Sequence, residues 1–420
     1  MFPKLKQIFW RWRGVLIAVP SVTGVIFVLR FVGLLQMLEL AALDQLFLMR
    51  PREPIDSRIL VVTIDEPDIP RLPQYPLSDA TLANLINQLK QHQPIAIGLD
   101  LYRDLAIAPG QKDLAQVFKS TPNLIGVQKV GRSDDSAPVA PPPLLKLLDQ
   151  VGANDLPIDP DGKIRRAFLT IDKEEGNAVF SFGYKLAYQY LSKKGVDSNL
   201  TPDNKIYAGS AIFQPFSSED GGYVRTNSGS YQILLNYRGG SKRFQQVSIV
   251  DVLNNRVAPD LIRDRIVLIG NIGESYKDLF FTPYSSQMLG SPERTPGVII
   301  HANFISQIIS SAIDHRQQIQ VLPDWAEWIW IISWAAIGAV ICWNQRVPTG
   351  RNRLFLLKRS RLVVAVALLL GSTYFAFWYG WWIPLVPALM GLAGSAFSIT
   401  GYLAHNAAEM RRTFGRYLTD

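Results

Sequence analysis

Residues 362–404 contain no Asp, Glu, Lys or Arg. A helix of about 20 apolar residues crosses a bilayer, so a charge-free run of 43 residues is long enough for two crossings. Tyr379-Gly380 and Pro384 break the run. Trp378, Tyr379, Trp381 and Trp382 cluster at the break, where amphipathic rings favour the membrane–water interface. A buried helical hairpin in a soluble core is rarely so long and so free of charge. Only 19% of the whole chain is charged, against about 25% in soluble domains.

Two more spans are expected. Residues 325–343 carry Glu327 as their one charge, and residues 14–29 carry none before Arg30. Arg30 can snorkel to a headgroup from the end of a span. A cleaved signal peptide would show a shorter apolar core and a small-residue cleavage site, so an uncleaved anchor is expected. The domain plan is a cytoplasmic tail at 1–13, spans at 14–36, 323–343, 362–379 and 381–403, an outer domain at 37–322, a basic loop at 344–361 and a tail at 404–420.

Lysine and arginine orient these spans. Lys4, Lys6, Arg11 and Arg13 precede the first, and Arg346, Arg351, Arg353, Lys358, Arg359 and Arg361 fill the 344–361 loop without an acid. Both segments are therefore expected in the cytoplasm, with both termini inside and the large domain outside the inner (plasma) membrane, periplasmic or extracellular. The net charge of +8 is a topology signal, because residues 31–343 hold 29 basic and 33 acidic groups. A nucleic-acid footprint needs a basic folded face, so no nucleic-acid partner is expected. The single cysteine, Cys342, excludes an intrachain disulfide, and the four histidines include no HExxH pair. No cofactor and no metal is called for.

The outer domain reads as α/β. Short β-branched apolar runs at 58–64, 95–99, 123–130 and 265–269 predict strands. Amphipathic segments at 79–91, with Ser78 as N-cap, and near 112–119 predict the helices between them. This alternation is the pattern of a mostly parallel sheet flanked by helices. Further expectations are strands at 163–171 and 232–237, and helices at 180–191, 247–254 and 298–312. Residues 197–229, rich in polar residues, Gly and Ser, read as a long excursion.

Asp65 and Asp100 follow predicted parallel strands, and in open α/β sheets ligands sit outside the carboxyl ends of strands. They are ligand-binding candidates, with Asn236, Arg238 and Gly270 beside other strand ends. His301 joins them, although a histidine on an apolar helix is more commonly a buried hydrogen-bonded one. Arg165-Arg166 after Asp161-Gly162 could hold an anion, but such a pair more often forms a solvated turn. No nucleophile–base–orienter set assembles, so no catalytic residue is assigned and a hydrolase using Asp65 and Asp100 is a minor alternative.

Several motifs recur in order: Ile64-Asp65-Glu66, Gly98-Leu99-Asp100, Asp159-Pro160-Asp161-Gly162 with Arg165-Arg166, Leu235-Asn236-Tyr237-Arg238-Gly239, Ile266-Val267-Leu268-Ile269-Gly270, Asp278, Thr282-Pro283-Tyr284 and Gly297 to Asn303. Together with Asp44, Arg50-Pro51 and the spans, this set resembles the second type of CHASE domain, the extracellular sensory domain associated with cyclases and histidine kinases. The set departs from the family at residues 72–77 and at Ile299. The resemblance implies a bacterial membrane receptor that detects a small extracytoplasmic ligand and signals to a cytoplasmic effector, a cyclase or a kinase, as a homodimer. Residues 411–418 resemble the linker that precedes a class III cyclase domain. The effector would then be a separate chain, or this is the sensor half of a receptor adenylate cyclase. A structural membrane scaffold is a further alternative.

Overall fold

The computed structural model describes the backbone of residues 2–131, 137–173, 176–276, 278–285, 293–344 and 353–417. Much of the predicted basic loop, Arg346 and Arg351 included, lies outside the described residues, as does residue 418 of the cyclase-like linker. The chain forms two compact units. One comprises Met1–Leu46, Ser218–Thr226 and Ile319–Asp420, the other Phe47–Ser217 and Asn227–Gln318.

The second unit is built on six strands: β1 (Asp56–Ile64), β2 (Ala96–Asp100), β3 (Leu124–Gln128), β4 (Val151–Ala153), β5 (Phe244–Ser248) and β6 (Ile266–Asn271). All neighbouring strands run parallel, in the order β5-β1-β6-β2-β3-β4. The central strands are buried along almost their whole length, which is why they read as continuous apolar runs rather than alternating ones. Helices α1 (Asp79–Gln91), α2 (Gln111–Lys119), α3 (Phe182–Lys193) and α4 (Gly297–Ile313) accompany the sheet. Ser78 caps α1 through Thr81 N–H, as its sequence position predicts. Leu82, Leu85, Ile86 and Leu89 of α1 join Leu60, Val62, Ile97, Leu99, Val267 and Ile269 in one core.

Three expectations change. Residues 247–254, read as one helix, divide into the end of β5 and a short helix, Ile249–Leu253. Phe244–Ser248 is polar because β5 is an edge strand with a half-exposed side. The excursion at 197–229 contains a three-stranded antiparallel sheet, Ser198–Leu200, Ile206–Ala208 and Ala211–Ile212. Its end, Ser218–Thr226, belongs to the other unit.

The Arg165-Arg166 pair is not a solvated turn. The Arg165 side chain is 1% exposed and that of Asp159 is 0%. Asp159 accepts from Arg165 at 2.7 Å and from Arg166 at 2.8 Å. Asp161 accepts from Arg165 at 2.6 Å. Arg166 also donates to Gln232 and to the carbonyl of Asn227. The arginines hold the strand Arg166–Asp172 against its antiparallel partner Tyr231–Leu234.

Among the described residues, the other unit contains four helices long and apolar enough to cross a membrane: Trp10–Phe31, Asp324–Trp343, Ser360–Trp378 and Val386–Thr413. A Cβ on Gly338 would lie 2.2 Å from the Leu392 carbonyl oxygen, so the second and fourth of these pack backbone to backbone, as small residues allow in membrane bundles. Arg30 pairs with Glu327, which removes the cost of either charge alone. Glu39 accepts from the Leu385 and Val386 N–H groups at 3.0 and 2.8 Å. It thereby satisfies donors left over at the start of the last helix. The 218–226 segment packs here through Tyr223, whose ring meets Trp382 edge-on at 5.8 Å.

Candidate functional site

The structure distributes the six sequence-predicted residues over four places. Asp65 is a helix cap. Its Oδ1 accepts from Glu66 N–H at 2.7 Å, and Asp68 returns a bond to the Asp65 N–H, closing a capping box on the turn Glu66–Arg71. Asp65 and Asp100 end strands that are not neighbours, because β6 lies between β1 and β2. Asp65→Ala is expected to cost about 1 kcal/mol, the usual value of a lost cap, read as a lowered thermal midpoint of the full chain.

Asn236 and Arg238 sit in a buried polar network toward the other end of the sheet, where β1 begins. Asn236 receives Arg50 at 2.5 Å and donates to the Gln317 carbonyl at 2.7 Å. Arg238 donates to Ser306 at 2.9 Å, and Ser306 donates to Asp56 at 2.6 Å. Asn303 and Gln307 of α4 accept the N–H groups of Arg238 and Asn236. Each polar atom named here has a partner, so this network ties α4 to β1 and the 236–239 segment. Gly270 serves packing: a Cβ there would lie 2.6 Å from Val298, so glycine lets α4 approach β6.

Asp100 and His301 do meet, and they meet Asp278. The three line a cavity of about 60 Å³ with Tyr102, Lys129 and Asp155. The site lies at the carboxyl ends of β2, β3 and β4. Asp100 is the last residue of β2, Lys129 follows β3, and Asn154 and Asp155 follow β4. His301 comes from the second turn of α4, and Asp278 flanks the start of that helix, where a Cβ on Gly297 would lie 2.7 Å from its carboxylate.

Asn154 donates to Asp100 at 3.2 Å and accepts from Tyr102 at 3.1 Å. Asp155 accepts the Val130 and Gly131 N–H groups at 2.8 and 2.7 Å. His301 is 3% exposed. Its ring meets the Phe182 edge at 5.3 Å, and its Nδ1 is buried without a hydrogen-bond partner among the described residues.

These surroundings shift proton affinities. Burial raises Asp100 to about 6, against the Asn154 hydrogen bond that favours its charge. Burial and the Asp100 charge raise Asp278 to about 7, so the two carboxyls titrate as a pair. Burial lowers His301 to about 4 and keeps it neutral at pH 7. Among the described residues no group of three His, Cys, Asp or Glu side chains stands where it could hold a metal ion. Asp278 appears in the sequence only within the ordered motif set. Asn154 and Asp155 carry no local signal, since only the sheet order brings β4 beside β3.

Searches of curated proteins and of solved structures found no match. The family model of the CHASE2 domain matches residues 22–340. CHASE2 is an extracellular sensory domain rather than a catalytic one, and the apolar helices fit a membrane protein. With more than half of its length matched, the chain belongs to the CHASE2 domain family.

Proposed function

We propose that the protein is a multi-pass membrane receptor whose outer α/β unit detects a compact ammonium-bearing solute in the Asp100–Asp278 pocket. The observation that carries this reading is the pair of carboxyls, Asp100 and Asp278, with raised proton affinity, lining one cavity with the neutral His301. Carboxyls perturbed by burial and a charged neighbour in a cleft are candidates for a functional site. Among the described residues, Asp100, Asp155 and Asp278 line the pocket with Lys129, so an entering positive charge lowers the cost of ionising both raised carboxyls. A volume of about 60 Å³ suits an ammonium head with its remaining atoms toward the opening. The site sits where ligands bind in open α/β sheets.

Binding is relayed to a cytoplasmic effector, a cyclase or kinase in trans or in a continuation of the chain, with a homodimer as the signalling form and both termini inside. The chain passes between the two units at 46–47, 217–218, 226–227 and 318–319, which supports mechanical linkage between outer unit and helices. The ligand must favour one state of that linkage, because equal affinity for both shifts nothing.

The test uses the full chain in nanodiscs at pH 7.5, with methylammonium, ethanolamine and putrescine as probes. A probe at 100 times its dissociation constant adds about 2.7 kcal/mol of stability. A rise in thermal midpoint with at least one probe, lost in Asp100→Asn, is expected. No rise with any probe, or the same rise in Asp100→Asn, rejects the ammonium pocket.

A further inference from the structure

A second cavity, of about 160 Å³, lies where the loop after β2 meets the first turn of α1. The Asp79 and Ala80 N–H groups donate to the Ile107 and Pro109 carbonyls at 2.8 and 2.7 Å, so the loop is held against the helix. Leu114 and Phe118 of α2, with Pro142, Pro143 and Leu144, give the cavity its apolar wall. Arg103 and Asp79 give it buried charges of both signs, and Gln111 and the exposed Asp104 also line it.

The two buried charges are not spent on each other. Arg103 is 8% exposed and Asp79 2%. The Asp79 charge acts on Arg103, yet among the described residues neither side chain has an ion-pair partner. Arg103 Nη2 donates to the Leu77 carbonyl at 2.9 Å. Arg103 Nε and Asp79 Oδ1 are shielded and lack a hydrogen-bond partner among the described residues. Arg103 Nη1 and Asp79 Oδ2 are neither bonded to a described residue nor shielded. Both residues are otherwise buried and both line the cavity, so these two atoms reach it. A buried charge without a partner is costly, and an occupant that meets both groups removes that cost.

We infer that this cavity binds a small apolar α-amino acid as its zwitterion, with the carboxylate on Arg103, the ammonium on Asp79 and the side chain against Leu114 and Phe118. The mixed charge decides the class. A simple anion would meet Asp79 and Asp104 as well as Arg103, and a simple cation would meet Arg103. A zwitterion pairs both groups and leaves the net charge of the cavity unchanged. The planar guanidinium fork suits a carboxylate, and an apolar wall with a few placed polar groups is the usual make-up of a small-molecule site. A volume of about 160 Å³ admits one amino acid with a short side chain and not a peptide. Arg103 follows β2, on the side of the sheet where ligands bind in open α/β folds. The site shares no lining residue with the Asp100–Asp278 pocket and stands or falls separately from it.

L-valine, isovalerate and isobutylamine are the probes. Isovalerate is valine without its ammonium, and isobutylamine is valine without its carboxylate. Binding to the full chain in nanodiscs is measured by calorimetry, with empty nanodiscs subtracted. Valine is expected to bind at least about tenfold more tightly than either half, because each half forgoes one charge-assisted bond. Arg103→Gln should weaken valine to the level of isobutylamine, and Asp79→Asn to the level of isovalerate. Ala115→Leu adds bulk to the cavity lining and leaves both charges in place, so it should abolish valine binding without lowering the thermal midpoint by more than a few degrees. No valine binding to the wild type, or equal affinity for valine and isovalerate, would overturn the site. Valine binding that is lost in Asp100→Asn and kept in Arg103→Gln would place the amino acid in the other pocket and overturn this one as well.

Discussion

Asp159→Ala is expected to destabilise the α/β unit by about 3–5 kcal/mol, the usual consequence of removing one partner from a buried ion group. Asp159 bridges Arg165 and Arg166, and both guanidiniums are almost wholly buried. Without it, Arg166 loses the carboxylate it shares with Arg165, while Arg165 keeps Asp161. Both guanidiniums then lose a carboxylate in a buried region. Asp161→Ala should cost less, because the Asp161 side chain is partly exposed and Arg165 retains Asp159. Thermal unfolding of both variants checks the order. A loss for Asp159→Ala no larger than that for Asp161→Ala would contradict the account.

Asp278→Asn is expected to raise stability at pH 8 and to flatten its dependence on pH. In an unfolded chain aspartate titrates near about 4, whereas folded Asp278 keeps its proton up to about 7 and Asp100 up to about 6. The folded state therefore binds more protons than the unfolded one across that interval, and stability falls as pH rises through it. His301 acts in the opposite sense. It is lowered to about 4 when folded, so its contribution grows from about pH 4 to about 6.5. Two carboxyls outweigh one imidazole below about pH 6, and Asp278 alone carries the fall above about 6.5.

Wild type should thus be more stable at pH 5 than at pH 8. A three-unit shift corresponds to about 4 kcal/mol, and partial exposure together with the positive end of α4 reduces the expected gain of Asp278→Asn at pH 8 to roughly 2 kcal/mol. Lys129, Asp155 and Tyr102 line the same pocket and are unchanged in the variant. Midpoints measured from pH 4 to 8 decide the matter. A variant with the wild-type slope would show that Asp278 ionises freely.

Arg238 shows how local reasoning misplaces a residue. It follows a strand closely, as Asp100 ends one, and the two look equivalent along the chain. Three-dimensional order separates them. The strand before Arg238 pairs with Arg166–Asp172 in a different sheet, and its guanidinium turns to Ser306 and Asp56 at the start of β1. Asp65 was misplaced for a simpler reason. An Asp after a strand and before a turn satisfies either a ligand or the N–H groups of the next turn, and here the turn has it.

What the sequence alone determined is whatever depends on near neighbours along the chain. The apolar strands, the Ser78 cap and the α/β alternation read correctly, and the charge-free runs fall in long apolar helices, because hydrophobic burial and capping act within a few residues. Tertiary structure decided the pocket. Asp100, Asp155, Asp278 and His301 lie far apart in sequence and converge only because β2, β3 and β4 are neighbours and α4 packs closely on β6 at Gly270. Tertiary packing also decides the burial of the arginines, although Asp159, Arg165 and Arg166 are close in sequence. Their burial depends on strand order and long-range packing, which no window along the chain contains.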